Sequence, residues 1–371
     1  MRALIVGGGI AGVGVGAFLA PHGEVTLVEQ ETSLAYHTTG RSAALFFENY
    51  GAGPIRPLTA ASRSFFVDPP ADLVDHPLLA PRGALTVARR DHLDLLATTL
   101  AEGLACGANV TSLQPLDAAD LCPAIRSDVV AGALWEPEAA DVDVAGLHQA
   151  LLRAMRAAGG VVRTGAELRN ASHDGTRWHA EIGDARWEGD VIVDAAGAWG
   201  DVVAARCGVA PIGLQPLRRT AFMVAGSVAS RTWPAVIDVG HLWYFKPDGE
   251  QILCSLADET PSAPCDARPE EIDVALAIER INEATHLAIH HVRSQWAGLR
   301  TFAPDRSMVI GPDPSQPAFL WLVGQGGTGI QTAPAASRLA AALAMGRPVP
   351  DDLVAAGLEL DALSPHRLRR P

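Results

Sequence analysis

The first segment, residues 1–30, constrains the fold of this chain more than any other part. An apolar run, Arg2–Val6, leads into GGGIAG (Gly7–Gly12), which fits the pattern G-x-G-x-x-G and begins a stretch of helical character. A second apolar run, VTLVE, ends at Glu29, about 20 residues beyond the loop, as this pattern requires. The succession of strand, glycine loop, helix, strand and acidic residue predicts a parallel dinucleotide-binding unit.

Each part of this pattern has a defined mechanical role. Gly7 would permit a tight turn, Gly9 would let the backbone approach a diphosphate, and Gly12 would allow close packing of helix on strand. The N-terminus of the helix would offer free N–H groups to the phosphates, and Glu29 would accept bonds from the ribose hydroxyls. The pattern by itself does not separate NAD from FAD. The cofactor-binding residues predicted in this segment are Gly7, Gly9, Ile10, Ala11, Gly12, Glu29 and Gln30.

The charge balance narrows the class of partner. The chain has 371 residues, with 29 Lys and Arg against 42 Asp and Glu, which gives a net charge of −13, and it has no basic run. This argues against nucleic acid as a partner, because phosphate backbones are bound by clustered Lys and Arg. An anionic small substrate is compatible with the same balance, because a few Arg side chains can converge on one site.

The remaining bulk features favour a cytoplasmic protein without a metal. No apolar run is long enough to span a membrane, and three consecutive glycines break the N-terminal run, which is therefore interpreted as a strand and not as a signal peptide. His290-His291 and Asp141–Asp143 lack a third ligand at a recognisable spacing, so no metal site is predicted. The cysteines are widely spaced in the sequence and form no CxxC pair, which predicts reduced thiols. The five cysteines are Cys106, Cys122, Cys207, Cys254 and Cys265.

The middle and the end of the chain differ in character. Between Leu217 and Leu256 the sequence has alternating strands and a predicted hairpin turn at Asp248-Gly249. The C-terminal third returns to an apolar run followed by glycines and a helix, LWLVGQGGTGIQTAPA. The length exceeds that of one simple core, so the pattern predicts two interleaved domains, with an antiparallel insertion inside an α/β unit.

Five motifs in this order resemble one enzyme family. GGGIAG, HTTGRSAA, VDAAGAW, WAGLRTF and GQGGTGIQTAPA are similar to segments of the FAD-dependent amine and D-amino acid oxidoreductases of the D-amino acid oxidase type, and most of all to bacterial D-arginine dehydrogenases. The resemblance implies an α/β, Rossmann-like, glutathione-reductase-like FAD domain and an α+β substrate domain built on an antiparallel sheet. The expected FAD domain comprises residues 1–80, 142–215 and 296–371, and the substrate domain residues 81–141 and 216–295.

The resemblance also implies how FAD is bound. The second glycine loop would lie at the flavin ring, where the N-terminus of the last helix would face the pyrimidine end. The HTTGRSAA motif would line the ribityl and isoalloxazine parts, and the backbone near Glu167 would face the adenine. No cysteine follows Cys265, so the FAD is expected to be noncovalent. The implied residues are Thr38, Thr39, Gly40, Arg41, Ser42, Ala43, Ala44, Glu167, Ala196, Gly197, Gly326, Gly327, Thr328, Gly329, Ile330 and Gln331.

Arg300 is the candidate that would bind the substrate carboxylate. A planar guanidinium can donate two parallel charge-assisted bonds to a carboxylate, although an ordinary ion pair is the usual role of an Arg. Tyr50 and Tyr244 match two tyrosines that help to hold the carboxylate or amine, unless they are merely packed aromatics. Arg219 matches a second substrate-side Arg. The backbone of Thr328 and Gly329 would face the substrate amine.

Two positions depart from the D-arginine dehydrogenases. Ala84 stands where those enzymes have a Glu, and Leu45 where they have a His. This favours a neutral or apolar D-amino acid. The expected reaction is oxidative deamination to a 2-oxo acid and ammonia, with hydride transfer to flavin N5 by a dehydrogenase. The alternatives are a glycine- or sarcosine-type oxidase, a 2-hydroxy acid oxidoreductase, a non-catalytic flavin-binding subunit and an NAD-dependent dehydrogenase. The electron acceptor (oxygen or a quinone), the stereochemistry and the oligomeric state are left open.

Overall fold

The computed structural model describes residues 1–51, 53–74, 76–105 and 107–369. Cys106 lies outside the described residues. Strands and helices are numbered below in chain order.

The strands of these residues are β1 Arg2–Val6, β2 Glu24–Val28, β3 Leu45–Phe46, β4 Leu79–Pro81, β5 Ala84–Ala88, β6 Thr111–Leu113, β7 Gly132–Glu136, β8 Ala140–Val142, β9 Val161–Arg163, β10 Leu168–His173, β11 Trp178–Ile182, β12 Ala185–Gly189, β13 Val191–Asp194, β14 Gln215–Ala225, β15 Ala235–Asp238, β16 Tyr244–Asp248, β17 Gln251–Ser255, β18 Thr260–Pro261, β19 Ser294–Phe302, β20 Val309–Pro312 and β21 Phe319–Val323. The helices are α1 Ile10–Leu19, α2 Arg56–Val67, α3 Leu93–Ala105, α4 Pro115–Leu121, α5 Val144–Ala157, α6 Gly200–Arg206, α7 Glu271–Ala284, α8 Ala333–Ala344 and α9 Asp351–Ala355.

A mostly parallel sheet is built around the first strand. In the described part of the chain it has six strands, in the order β20-β21-β13-β1-β2-β9, and only β20 runs antiparallel to its neighbour. Leu4 and Ile5 in β1 are fully buried, as expected for a strand covered on both faces. The predicted unit of strand, glycine loop, helix and strand is confirmed.

Glycines inside α1 let this helix pack closely on two others. A Cβ at Gly14 would lie 2.1 Å from the Oγ of Ser337 in α8, and one at Gly16 would lie 2.3 Å from the Sδ of Met155 in α5. Any larger side chain would therefore push these helices apart. The contacts bring the first helix of the chain together with the helix that follows the second glycine loop. That helix is α8. It was expected to be the last helix of the chain, but the short helix α9 follows it.

A second sheet carries the antiparallel insertion. Nine of the described strands form it, in the order β18-β14-β17-β16-β15-β5-β7-β6, with β19 pairing along the length of β14. In the hairpin of β16 and β17, Asp248 pairs with Gln251, so the turn is Gly249-Glu250, one residue later than predicted. Gly249 has φ +59°, a left-handed conformation that glycine adopts without strain.

Two smaller sheets complete the described strands, β10-β11-β12 and β3-β8-β4. The α/β fold with a separate, largely antiparallel sheet is as predicted. The strand β19, residues 294–302, belongs to the nine-stranded sheet, although the sequence-based boundary assigns residues from 296 onward to the FAD domain. The domain boundaries stay a prediction. In the described residues, no helix combines the length and the apolar character needed to cross a bilayer.

Candidate cofactor and substrate site

One cavity extends from the first glycine loop to the second and is lined by residues of both large sheets. It begins at the end of β1 and reaches Arg300 on β19. The predicted site residues that line it are Gly7, Gly9, Ile10, Ala11, Glu29, Gln30, Thr38, Thr39, Arg41, Ser42, Ala43, Glu167, Ala196, Gly197, Arg219, Tyr244, Arg300, Gly326, Gly327, Gly329 and Ile330.

The first glycine loop is shaped by close backbone contacts. Gly7 has φ +109°, and a Cβ there would lie 2.5 Å from the carbonyl oxygen of Ala195. A Cβ at Gly12 would lie 1.9 Å from the carbonyl oxygen of Gly7, so Gly12 permits the helix to start directly beneath the loop. Both positions therefore require glycine for reasons that were predicted from the pattern.

The start of α1 presents a backbone donor that has no partner. The N–H of Ile10 donates to Thr39 Oγ1 at 3.0 Å. The N–H of Gly9, which lines the cavity, has no acceptor among the described residues. A free N–H at the positive end of a helix dipole is suited to an anion.

Glu29 ends the second strand beside this loop. Its Oε2 accepts a bond from the N–H of Gly8 at 2.7 Å, and its Oε1 accepts one from the N–H of Glu31 at 2.9 Å. Each carboxylate oxygen can accept a further bond. Because Glu29 lines the cavity, its remaining lone pairs can accept hydroxyl donors from a ligand.

Arg41 has a different task from the one expected. Its guanidinium donates to the carbonyl oxygens of Tyr36 (3.2 Å), Ala267 (3.0 Å) and Ala297 (2.8 Å), and it also pairs with Asp266. These bonds engage all three of its nitrogens with protein. Arg41 therefore lines the cavity but fastens the HTTGRSAA loop to β19 and to the segment before α7.

The far end of the cavity gathers two guanidinium groups and two phenols. Arg300 donates from Nη1 to the Oη of Tyr50 at 3.1 Å, and within the described residues it forms no ion pair with a carboxylate. Burial opposes its charge, but the neighbouring Tyr50 and Tyr244 leave the pKa of Arg300 raised overall. Burial, followed by the charge of Arg300, lowers the pKa of Arg219 to about 10. Two cations on the paired strands β14 and β19 thus line the same end of the cavity.

Arg219 has one weak counter-ion. Its Nη2 lies 3.2 Å from the Oε1 of Glu259, a carboxylate that is held more closely by Arg306 at 2.8 Å. The Nε of Arg219 is buried and has no partner in the described residues. The Arg219 and Arg300 end of the cavity is therefore strongly electropositive, which suits a ligand with a negative charge.

The second glycine loop fits around this pair of side chains. A Cβ at Gly327 would lie 2.5 Å from the Oη of Tyr50 and 2.9 Å from the Nη1 of Arg300. Gly326 has φ +54°, and a Cβ there would lie 2.3 Å from the ring of Phe302. The two glycines let the backbone approach the Arg300 and Tyr50 side chains directly.

Comparison with known proteins gives the family. The family model described as "FAD dependent oxidoreductase" matches residues 2–343. The chain belongs to this family. The protein is thus an FAD-dependent oxidoreductase, and FAD is its cofactor.

Two solved structures and one sequence relative illustrate the likeness. Glycine oxidase from Geobacillus kaustophilus superposes with a TM-score of 0.81 at 21% identity, over 94% of this chain and 95% of that one. L-proline dehydrogenase from P. horikoshii superposes with a TM-score of 0.86 at 18% identity, over 100% of this chain and 98% of that one. The bifunctional protein MnmC of Paracidovorax citrulli (strain AAC00-1), described as acting in tRNA 5-methylaminomethyl-2-thiouridine biosynthesis, is 26% identical over 399 aligned residues. The chain is covered to 94% in that alignment but spans only 58% of the length of MnmC.

The cavity of this FAD-dependent oxidoreductase fits the cofactor at several points. The free N–H of Gly9 and the start of α1 would hold the diphosphate, and Glu29 would accept the ribose hydroxyls. The hydroxyl of Thr301, a cavity residue that is only 5% exposed, has no partner in the described residues and would find one in the cofactor. Glu167 is paired with Arg206 at 2.7 Å, and both line the cavity near the expected adenine end.

Several predicted site residues of the oxidoreductase do not line the cavity. Gly12 lies behind the loop, Gly40 packs on the carbonyl of Ala35, and Ala44 packs against the core. Thr328 is 7% exposed, and its hydroxyl donates to the carbonyl of Gln325. Tyr50 does not line the cavity itself but reaches the site through its bond to Arg300.

Gln331, the last of the predicted cofactor-binding residues, forms hydrogen bonds to two segments that are distant from it in sequence. Its side chain is 2% exposed and donates to the carbonyl of Tyr50 at 3.2 Å and to the hydroxyl of Thr59 at 3.0 Å. Its Oε1 accepts from the N–H of Phe47 at 3.5 Å. Gln331 was predicted to contact the cofactor. It does not line the cavity but fixes the segment that carries Tyr50.

Leu45 and Ala84, the two positions from which the substrate side chain was predicted, also lie outside the cavity wall. Ala84 is 1% exposed and sits in β5 between β15 and β7, inside the nine-stranded sheet. Leu45 is in β3 and pairs with Asp141 of β8 in a small sheet. Neither residue lines the cavity, because both are committed to strand packing.

A buried histidine beside the first glycine loop was not among the predicted site residues. His148 in α5 is 3% exposed, and its Nε2 lies 3.0 Å from the carbonyl oxygen of Gly8. The only available signal was a histidine within the apolar positions of VAGLHQALLRAM, a helix that Asp143 caps. Residues that line the cavity without having been predicted include His37, Trp199, Arg206, Thr301 and Gln325.

The described cysteines are not part of the cavity wall. Cys122, Cys207 and Cys254 are buried, and Cys265 is exposed. Burial raises the pKa of the Cys122 thiol to about 12 and those of Cys207 and Cys254 still further. None of these four lines the cavity. Among the described residues, no three His, Cys, Asp or Glu side chains are grouped to hold a metal ion.

Proposed function

We propose that this oxidoreductase catalyses the oxidative deamination of an α-amino acid whose carboxylate is held by Arg300. The observation that carries the proposal is the state of Arg300: its guanidinium lies inside the cavity and donates to the Oη of Tyr50, without an ion pair to a carboxylate of the described residues. A buried guanidinium without a counter-ion is strongly favoured to take an anion, and a carboxylate matches its planar geometry.

The neighbouring cation would control the protonation of the substrate amine. Arg219 and Arg300 both line the same end of the cavity. Their positive field disfavours an ammonium group and thus lowers its pKa on binding. The substrate would then present a neutral amine, whose lone pair supports the departure of hydride from Cα. FAD, when bound, would accept the hydride from Cα, which carries both electrons, and hydrolysis of the resulting imino acid would give the 2-oxo acid and ammonia.

The side chain of the substrate is proposed to be neutral or apolar. The acidic residues that line the cavity among those described are Glu29 and Glu167, both at the nucleotide end. No carboxylate lines the Arg300 end to receive a cationic side chain. Ala221 and Tyr244 supply uncharged surface there. This composition supports a substrate with an uncharged side chain over one with a cationic side chain, and we propose that substrate to be a D-amino acid.

Glycine is a second candidate on the same grounds. It presents the same carboxylate and amine to Arg300, and one of the structural neighbours is a glycine oxidase. Noncovalent binding of FAD belongs to the same proposal, because no described cysteine lines the cavity.

An anaerobic absorbance screen tests the reaction. D- and L-amino acids, glycine, N-methylglycine and 2-hydroxy acids are added in turn to the FAD-loaded protein, and air is then admitted. Bleaching of the flavin by neutral D-amino acids is the expected result, and the rate of recovery in air separates an oxidase from a dehydrogenase. Bleaching by 2-hydroxy acids alone would replace the proposal with the hydroxy acid alternative. No bleaching by any compound, with FAD still bound, would favour a non-catalytic flavin-binding subunit.

Substitution of Arg300 tests the assignment of the carboxylate site. Arg300→Met removes the guanidinium and keeps an unbranched side chain, so kcat/KM should fall by an amount equivalent to about 2–5 kcal/mol. The measurement is steady-state kinetics with a substrate identified by the screen, together with the FAD content of each preparation. The matched control is Arg293→Met, an exposed Arg just before β19. Equal loss in both variants, or none in Arg300→Met, would contradict the assignment.

A further inference from the structure

His148 approaches the first glycine loop from a rigid helix. It lies in α5, which packs against α1, and it is 3% exposed. Its Nε2 is 3.0 Å from the carbonyl oxygen of Gly8, which can only accept, so Nε2 must carry the proton. Burial lowers the pKa of His148, and the ring is therefore a neutral donor at neutral pH.

Gly8 is held at both of its polar groups. Its N–H donates to Glu29 Oε2 at 2.7 Å, and its carbonyl oxygen accepts from the N–H of Ala35 at 3.1 Å as well as from His148. In a trans peptide the carbonyl of one residue and the N–H of the next point in opposite directions. Fixing the oxygen of Gly8 therefore also fixes the N–H of Gly9, on the opposite side of the same peptide plane.

That N–H is the donor without a partner. Gly9 lines the cavity, and its N–H has no acceptor among the described residues. We propose that His148 is a positioning residue for FAD: it orients the Gly8–Gly9 peptide so that the N–H of Gly9 is presented to the diphosphate. His148 itself is buried behind the loop and does not line the cavity.

The two donors to Gly8 differ in how firmly they are placed. Ala35 is a loop residue with φ +57°, a strained conformation for a residue with a side chain. His148 is anchored in a helix of 14 residues that Asp143 caps. Without the imidazole, the carbonyl oxygen of Gly8 would be held only by the N–H of Ala35 in its loop, and the peptide plane could tilt away from the phosphate.

Binding of FAD to the apoprotein tests the inference, with flavin fluorescence as the readout. His148→Phe keeps an aromatic ring and removes the donor, and the Kd for FAD should rise by up to about 10- to 150-fold, as for loss of one hydrogen bond to a charged group. His148→Gln retains an N–H of similar reach and should restore the Kd to within about threefold of the parent. The matched control is Ser337→Ala, which alters the packing of α8 on α1 without contacting the loop and should leave the Kd unchanged.

Two further measurements separate positioning from general loosening. The melting temperatures of the apoproteins should agree among the variants, and the KM for substrate at saturating FAD should stay the same. An unchanged Kd in His148→Phe, or a Kd in His148→Gln as high as in His148→Phe, would overturn the inference. If His148→Phe does not fold, His148→Asn takes its place, because its shorter side chain cannot reach Gly8 and should bind FAD more weakly than His148→Gln. Equal affinities of those two variants would also overturn it.

Discussion

At the scale of single residues, the second glycine loop leaves little space around Arg300, the proposed carboxylate-binding residue. The second glycine loop passes so close that a Cβ at Gly327 would lie within 2.5 Å of Tyr50 Oη and 2.9 Å of Arg300 Nη1. Real Cβ atoms do not occupy such positions, so the phenol and the guanidinium would have to move. Their mutual bond at 3.1 Å would not survive that movement unchanged.

Gly327→Ala should therefore weaken substrate binding. The displaced guanidinium would lose its alignment with the carboxylate, and KM should rise by roughly tenfold or more, since about 1–3 kcal/mol is lost with a strong hydrogen bond. Steady-state kinetics on FAD-saturated enzyme provides the measurement. Gly53→Ala serves as the control, because a Cβ at Gly53 meets nothing within 4 Å. A KM of Gly327→Ala equal to that of Gly53→Ala would show that the loop does not constrain Arg300.

At the scale of secondary structure elements, the end of β7 supports the segment that carries Tyr50. Glu136, the last residue of β7, is 5% exposed and accepts hydrogen bonds from Asn49. Burial raises the pKa of Glu136 to about 7, although the bonds from Asn49 act in the opposite direction. This carboxyl is thus protonated in the folded protein over a pH range in which it is ionised in the unfolded chain.

The contribution of Glu136 to the stability of the protein should consequently fall as the pH rises from about 4.5 to about 7. In this window the folded state binds more protons at Glu136 than the unfolded state, so the free energy of unfolding decreases with pH. Glu136→Gln removes this contribution. Its free energy of unfolding relative to that of the parent should therefore increase by up to about 3 kcal/mol from pH 5 to pH 8. Urea denaturation at the two pH values measures the difference.

A neighbouring residue gives the control for this experiment. Glu138 is two positions further on and pairs with Arg63 at the surface, where its side chain is 52% exposed. Glu138→Gln should shift both denaturation curves equally. If Glu136→Gln also shifts both equally, the buried carboxyl does not titrate in this range.

Local patterns explain which elements could be predicted. The unit from β1 to β2 and the β16–β17 hairpin depend on glycines and turn residues that are close in sequence, and both are observed. The parallel pairing of β5 with β15 joins residues 84–88 to 235–238, and no local pattern encodes that partner. For the same reason Ala84 was expected near the substrate but is enclosed by neighbouring strands.

Side-chain roles in the site were predictable where chemistry restricts them. Arg300, Arg219, Tyr50 and Tyr244 lie close together, as the family motifs led us to expect, and their role in binding a carboxylate stays a proposal. Gln331 was expected at the cofactor because it follows the glycines, yet its amide turns into the core toward Tyr50. The direction of a side chain at the start of a helix depends on tertiary packing, which the motif does not contain.

At the scale of the whole molecule, the cofactor cavity joins the two large sheets. Gly7 to Ala11 belong to the parallel sheet and its first helix, whereas Arg219, Tyr244 and Arg300 belong to the nine-stranded sheet. The Arg41 side chain connects the two sides through the carbonyls of Ala267 and Ala297. A ligand that fills this cavity contacts both sheets and should stabilise them together.

Loading with FAD should therefore raise the melting temperature of the whole protein. At a free FAD concentration of about 100 Kd, the linkage relation gives about 2.7 kcal/mol of added stability. Differential scanning calorimetry of apoprotein and loaded protein at several FAD concentrations measures the shift. If two transitions are resolved, both should move. Movement of only one would mean that the cofactor engages a single sheet.

The amide of Gln331 has a consequence for how the protein is made. It binds Tyr50 and the N–H of Phe47, so a side chain near the end of the chain sets the backbone of a segment near its beginning. During translation the ribosome delivers Tyr50 long before residue 331 has emerged. The nascent N-terminal half can form its first strands, but it must wait for the closing part of the polypeptide before it can recognise a substrate.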